Sequence, residues 1–299
     1  MTGIRKSIVF LAIAFTFSWG IAGLGWAMGA SRHPSWAVMT LAITMFGPAI
    51  AAAFCALAFE KGRRRAALGL TFQPSLWWLW AWLLALALVF GATLLTGLLG
   101  HAQFRDIGQA MLAQARALAP AQSAKLDAMA ALPGLSWLLV AQAGLLGALI
   151  NTPILLLSEE LGWRGYLYDL WHRFGFWRST LAIGTIWGIW HAPAILLFGL
   201  NYPDNRALGV PIFVLFCVLI AIPMAVMRER SASTLAPAIF HGTLNAIAGL
   251  ALLGLSNAAF PWNGVVGIGG LIMLTGMAMG CVLLQSGNAS VSGNARVSD

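Results

Sequence analysis

Apolar residues in this chain fall into long continuous blocks separated by short polar segments. Eight blocks are visible, at 7–30, 36–59, 75–99, 135–158, 180–199, 209–227, 234–256 and 263–285. Each is close to the ~20 residues that a helix needs to cross a hydrocarbon core. Only helices and closed barrels satisfy their backbone hydrogen bonds in lipid, and a barrel strand would alternate with a period of two over ~10 residues. These blocks do not alternate, so the pattern predicts an all-α, polytopic transmembrane bundle of about eight spans. The first block follows Arg5 and Lys6 as a signal peptide would, but it is long and has no clear small-x-small cleavage site, which favours a retained helix.

Composition agrees with the pattern. Hydrophobic residues make up 60% of the 299 positions and charged ones 9%, with a mean hydropathy of +0.83, more apolar side chain than a soluble core of this size hides. The net charge of +8 follows loops and not one amphipathic face, which argues against nucleic acid as a partner. With the N-terminus in the cytoplasm, the inner segments hold Arg5, Lys6, Lys61, Arg63, Arg64, Arg65, Arg164, Arg173, Arg178, Arg228, Arg230 and Arg296. The outer ones hold Arg32, Arg105, Arg116, Lys125 and Arg206. A 12 to 5 bias of this kind predicts a multi-pass protein of the cell membrane with both termini cytoplasmic. Trp77, Trp78, Trp80 and Trp82 then sit at the inner interface of the third span. Cys55, Cys217 and Cys281 occupy separate blocks and predict neither a disulfide framework nor a zinc site.

Residues 1–285 read as one integral-membrane domain. The segment 100–133 is Ala-rich and mildly amphipathic, expected as an outer-face loop with one surface helix. Residues 286–299, SGNASVSGNARVSD, read as a disordered cytoplasmic tail.

Strongly polar side chains inside a span cost ~2.5 kcal/mol or more at its centre, so each needs a partner or a task. Outside the loops they are Asn151, Glu159, Glu160, Arg164, His191, His241 and Asn245. His191 lies 13 residues past Arg178 and Asn245 lies 15 past Arg230, which places each ~18–22 Å along its helix. Glu159 reaches the same level if its helix continues through EELGWRGYLYDLW to a boundary at Trp171–Arg173. That helix would start near residue 145, leaving 134–144 in the outer leaflet. Pro193 and Pro237 would kink or loosen their helices beside the histidines.

The chemistry follows from the types. Glu160 and Arg164, four apart with the acid first, suit an ion pair on one helix face. Glu159 points about 100° away and lacks a local partner, as a buried general base would. His241 and Asn245, one turn apart, offer two N–H donors for an oxyanion, and His191 can orient a water or carry a proton. Asn151 reads as an interhelical contact. A set of this kind also suits a proton or cation pathway. A zinc site is disfavoured because no HExxH occurs, and serine chemistry because no GxSxG turn surrounds Ser158.

EELGWR matches EExxxR, HGTLN matches HxxxN, and WGIWH looks like FxxxH with Trp187 in place of Phe. In this order they resemble the CPBP family of intramembrane proteases, related to type II CAAX prenyl endopeptidases and to abortive-infection and bacteriocin-immunity proteins. The motif-bearing core covers about 145–250. The resemblance implies a conical cavity open to the cytoplasm, with Glu159 and His191 activating water, His241 and Asn245 forming an oxyanion hole, and Glu160 and Arg164 supporting them. It implies no cofactor and no metal. The expected function is metal-independent glutamic cleavage of a membrane-associated peptide, with a prenylated CAAX-type one as a candidate, in contact with membrane lipid. A non-catalytic immunity or secretion-accessory protein and a proton-coupled transporter are the alternatives.

Overall fold

In the computed structural model, residues 2–294 are described, with side chains except at 123 and 286–294. The described residues are mostly helical, and their strands are the two-residue β1 (Gln103–Phe104) and β2 (Leu255–Ser256), paired antiparallel with Gln103 opposite Ser256. Among the described residues, eight helical stretches are long and apolar enough to cross a membrane, as the block pattern predicts. The 286–299 tail lies outside the described side chains and, beyond Asn294, outside the described residues.

The first span is α1 (Gly3–Ala27). The second is broken into α2 (Pro34–Thr44) and α3 (Gly47–Phe59), where Met45 and Phe46 turn the chain ahead of Pro48. A short α4 (Arg64–Ala67) leads to α5 (Leu76–Leu98), whose N-cap Ser75 accepts a bond from the Trp77 amide, satisfying one of the orphan donors of a first turn.

Segment 100–133 holds two helices, not the single one expected: α6 (Ile107–Leu118) and α7 (Ser123–Ala130). Their apolar faces meet the next helix through Leu112, Leu126 and Leu135, and Asp106 caps α6 by accepting from Gln109 N at 2.8 Å and Ser136 Oγ at 2.7 Å. Those contacts hold the segment against the bundle.

The fourth span is a 40-residue helical rod, Leu135–Phe174. It comprises α8 (Leu135–Gln142), a π-helical turn at Ala143–Gly147, α9 (Ala148–Leu155), a longer π-helical stretch at Leu156–Leu167 and α10 (Tyr168–Trp171). It runs on to the Trp171–Arg173 boundary as expected. It begins ten residues earlier than expected, because Leu135–Gln142 packs against the cap of α6 instead of lying loose. Wide π turns leave backbone groups in need of partners; Trp82 Nε1 donates to the Gly144 carbonyl at 2.6 Å, so this tryptophan binds the rod.

α11 (Phe176–Trp190) ends at His191 and α12 (Ala192–Phe198) resumes beyond it. Pro193 falls in the first turn of α12, where its missing amide costs no bond, so the break predicted beside His191 is present. The next spans are the apolar α13 (Arg206–Arg230) and α14 (Leu235–Leu253), which carries His241 and Asn245, followed by α15 (Ile268–Asn294). Pro237 does not kink α14: it is the third residue of that helix, again in the first turn.

The spans alternate, so one end of the bundle holds the start of α1 and the turns at 60–75, 172–175 and 231–234. This terminal end is tied by Lys6 Nζ to Glu60 at 2.6 Å, Arg63 to Asp169 at 2.8 Å, and Tyr168 to Glu229 at 2.8 Å. The opposite, loop end holds 28–33, 99–134, 199–205 and 254–267, tied by Tyr202 Oη to the Val266 carbonyl at 2.6 Å and Asn263 to the Asn201 carbonyl at 2.7 Å.

Candidate functional site

The π-helical stretch carries EELGWR through the centre of the bundle, where Glu159 (3% exposed), Glu160 (0%) and Arg164 (2%) are buried. Placing these groups beside α14 depends on a close approach at Gly242. A Cβ there would stand 2.7 Å from the Thr152 amide nitrogen and 2.8 Å from its Cα, so only glycine lets α14 sit directly on α9. Small residues serve helix contact in lipid in this way. The adjoining His241 is thereby brought against the glutamates.

Glu160 Oε1 accepts from Arg164 Nη1 at 3.0 Å and from His241 Nδ1 at 2.8 Å. The i,i+4 ion pair is therefore present, but Glu160 also binds across 81 positions of sequence. A carboxylate only accepts, so His241 carries its proton on Nδ1 and leaves Nε2 for other contacts. The pair thus resembles the acid–histidine couple that fixes ring orientation in other hydrolytic sites.

Glu159 Oε2 accepts from the Trp187 indole at 2.8 Å, and its Oε1 has no hydrogen-bond partner among the described residues. Arg164 lies over the same indole, 4.0 Å from guanidinium carbon to ring centroid, a distance suited to cation–π attraction. Trp187 therefore binds Glu159 through its edge and Arg164 through its face, a role the sequence reading missed. The signal was present: where the family motif has Phe, this chain has an aromatic residue with an N–H.

His191 Nδ1 bonds the Trp187 carbonyl at 2.8 Å. A carbonyl only accepts, so Nδ1 carries hydrogen and Nε2 is an acceptor in the uncharged ring. Its ring meets Trp187, Trp190 and Phe213 edge-on at 5.7, 4.7 and 4.7 Å between centroids. No hydrogen bond joins Glu159 to His191; the two share a cavity.

That cavity has a volume of about 530 Å³ and is lined by Glu159, His191, His241 and Asn245 together. All four sequence-predicted residues converge on one space, with Glu160 and Arg164 behind it. Asn151 lies apart, its amide bonding the Gly147 carbonyl at 2.8 Å within its own helix, so the expected interhelical role is not its hydrogen bond. Among the described residues, no three His, Cys, Asp or Glu side chains are grouped as metal ligands.

Outside the spans, the cavity is bounded at one end of the bundle. The lining residues outside the spans are Leu200, Asn201 and 263–266, all at the loop end, whereas the chain start and the arginine-rich turns lie at the terminal end.

Comparison with known proteins places these elements. Residues 140–247, about a third of the chain, match the family described as type II CAAX prenyl endopeptidase Rce1-like. This interval holds all of EExxxR, the His191 break and HxxxN. The chain is a multi-pass helical membrane protein in which this central region is similar to that family. A curated protein named CAAX prenyl protease 2, from Methanococcus maripaludis, is 42% identical over 40 residues, 13% of this chain. The chain matches only 15% of that relative's length.

Proposed function

We propose that this protein is an intramembrane glutamic endopeptidase, independent of a metal, acting on a peptide attached to or embedded in the membrane, with a prenylated CAAX-type peptide as one candidate. The observation that carries this reading is the convergence of Glu159, His191, His241 and Asn245 on one buried cavity. In the proposed step, a water held between Glu159 Oε1 and His191 Nε2 gives a proton to Glu159 as its oxygen attacks the peptide carbonyl. The oxyanion receives an N–H bond from the Asn245 amide and, with the ring as an imidazolium whose other N–H is held by Glu160, a second from His241 Nε2. Glu159 then passes the proton to the departing amine as the C–N bond breaks. Glu160 holds the His241 ring, and Trp187 holds the Glu159 carboxylate. Apolar Leu41 and Ala42 of α2 and Met45 in the turn beyond it complete the cavity wall, which supports a lipid-attached or hydrophobic substrate. The 12 to 5 distribution of basic residues supports cytoplasmic termini.

The test uses the full chain purified in detergent, with a farnesylated CAAX peptide and unmodified membrane peptides, followed by mass spectrometry. Loss of a positioned general base typically reduces rate ~10²–10⁴-fold, and Glu159→Gln is expected to lose activity on that scale while chelators leave the parent unchanged. Cleavage that Glu159→Gln retains in full rejects the glutamate as base, and chelator-sensitive cleavage rejects the metal-independent reading.

A further inference from the structure

We infer that Arg228, near the end of α13 and outside the cavity lining, is a positioning residue for the reaction: its bond to the Arg164 carbonyl fixes the π-helical turn from which Arg164 reaches both halves of the site. The inference deepens the proposed function and rests on it, but one of its readouts needs no cleavage.

Arg164 joins those halves. Its Nη1 donates to Glu160 Oε1 at 3.0 Å, and Glu160 holds His241; its guanidinium lies 4.0 Å over the Trp187 ring, and the indole holds Glu159. A side chain bridging both arms must have a fixed backbone, because a ~1 Å misplacement of reacting groups can cost ~10²-fold in rate. The π-helical turn does not supply this alone, since it is a rare geometry in helices. Neighbouring segments grip it at three successive points. At Gly162 a Cβ would stand 2.7 Å from the Pro48 carbonyl oxygen, and at Gly165 2.7 Å from the Leu68 carbonyl oxygen, so α3 and the turn beyond α4 lie directly on the rod. Between these contacts, Arg228 Nε donates to the Arg164 carbonyl at 3.0 Å.

The surroundings of Arg228 are shaped to hold it there. Gly69 is in the left-handed region at φ +61°, and a Cβ on it would stand 2.6 Å from Arg228 Nη2 and 2.8 Å from Cζ. Glycine both adopts that conformation without strain and leaves the space that the guanidinium fills. The turn carrying Gly69 is in turn fastened beyond α13, where the Thr234 amide donates to the Gly69 carbonyl at 2.9 Å and Thr234 Oγ1 to the Leu68 carbonyl at 2.9 Å. Arg228 is half-buried, and among the described residues it forms no salt bridge. Ion pairing is therefore not its task. What it offers is a charged donor aimed at a backbone carbonyl, which makes a stronger hydrogen bond than a neutral one.

The test uses the full chain in detergent with the farnesylated and unmodified peptides of the protease assay. Arg228→Met has no donor and Arg228→Lys keeps one; Arg228→Leu replaces Arg228→Met if that variant aggregates on size-exclusion chromatography. Arg228→Met is expected to lower kcat ~10–100-fold with KM within about twofold of the parent, and Arg228→Lys to return kcat to within about fivefold. Tyr168→Phe removes the 2.8 Å bond to Glu229 at the same end of the bundle, and as a control for general loosening it is expected to leave kcat unchanged. The second readout needs no substrate. In chain labelled with 5-fluorotryptophan, the fluorine resonance of Trp187, identified by its loss in Trp187→Phe, reports the guanidinium over the ring, and Arg164→Met gives its position without one. Arg228→Met is expected to move the resonance most of the way to that position and Arg228→Lys to leave it in place. A resonance that does not move in Arg228→Met, a parental kcat in that variant, or an equal loss in Tyr168→Phe overturns the inference. A resonance that moves as expected in a chain that cleaves no peptide leaves the hold of Arg228 on Arg164 standing and removes the protease reading instead.

Discussion

Replacing Glu160 with alanine removes the one carboxylate that holds both Arg164 and His241. Glu160 and Arg164 are 0% and 2% exposed, and the single-residue change strands a guanidinium in the bundle interior. Breaking a buried ion pair from one side costs about 3–5 kcal/mol. The lower part of that range applies here, because Glu160 Oε2 and Arg164 Nη2 lack protein partners already. At roughly 2–4 °C per kcal/mol for a chain of this order of size, Glu160→Ala is expected to unfold ~6–12 °C below the parent. The double variant Glu160→Met with Arg164→Met removes both charges and fills the space with side chains of similar length. Such replacement is often neutral; what it leaves is the lost cation–π contact with Trp187, about 1 kcal/mol, and the unpaired His241 Nδ1–H, which it shares with the single variant. Thermal unfolding in detergent, followed by the fluorescence of the 14 tryptophans, measures both. The reasoning predicts that stability returns in the double variant while cleavage does not, since the His241 ring has lost its acceptor. Glu160→Ala unfolding within ~2 °C of the parent refutes a desolvated charged pair, and a double variant as weak as the single one refutes the stranded-charge account.

The close contact under His241 gives a second test: at Gly242 an added methyl meets Thr152 backbone at 2.7 Å, whereas at Gly249 it meets nothing within 4 Å. Gly242→Ala is expected to lose ~1–3 kcal/mol from overpacking and Gly249→Ala to be neutral or gain up to ~1 kcal/mol from helix propensity, both read by the same unfolding scan. At the terminal end, burial pushes the Glu60 carboxyl up, but hydrogen bonds from Lys6 at 2.6 Å and Arg63 at 2.9 Å outweigh it and hold the group below its ordinary 4.5. A depressed carboxyl contributes stability that is present above the ordinary value and is lost as pH falls through the folded one. Glu60→Gln is therefore expected to lower the unfolding temperature near neutral pH and to flatten its decline below about pH 4.5; a variant whose decline matches the parent's rejects the linkage.

How much of this was legible in the chain itself depends on the range over which each feature is decided. Span number and helical class follow from block length, because a bilayer imposes one length scale on every crossing segment. The Glu160–Arg164 bond follows from a spacing of four. The convergence of Glu159, His191, His241 and Asn245 was also visible, since residues of equal depth on different spans meet if their faces turn inward. The start of the fourth span was not visible, because Leu135–Gln142 is ordered by contacts with Leu112 and Leu126 from a neighbouring segment, and neither was the π geometry, which no apolar periodicity marks.

What only the tertiary structure decided is rotation about each helix axis and the direction in which the space between helices widens. The His241–Glu160 bond, the Trp187 grip on Glu159 and the cavity lining at the loop end all depend on those two quantities. Hydropathy sets how deep a residue lies and charge sets which end is inside, both properties of a segment in lipid. Rotation and opening are set by side-chain packing between segments, such as Gly242 against Thr152, and that information exists only once the helices are in contact.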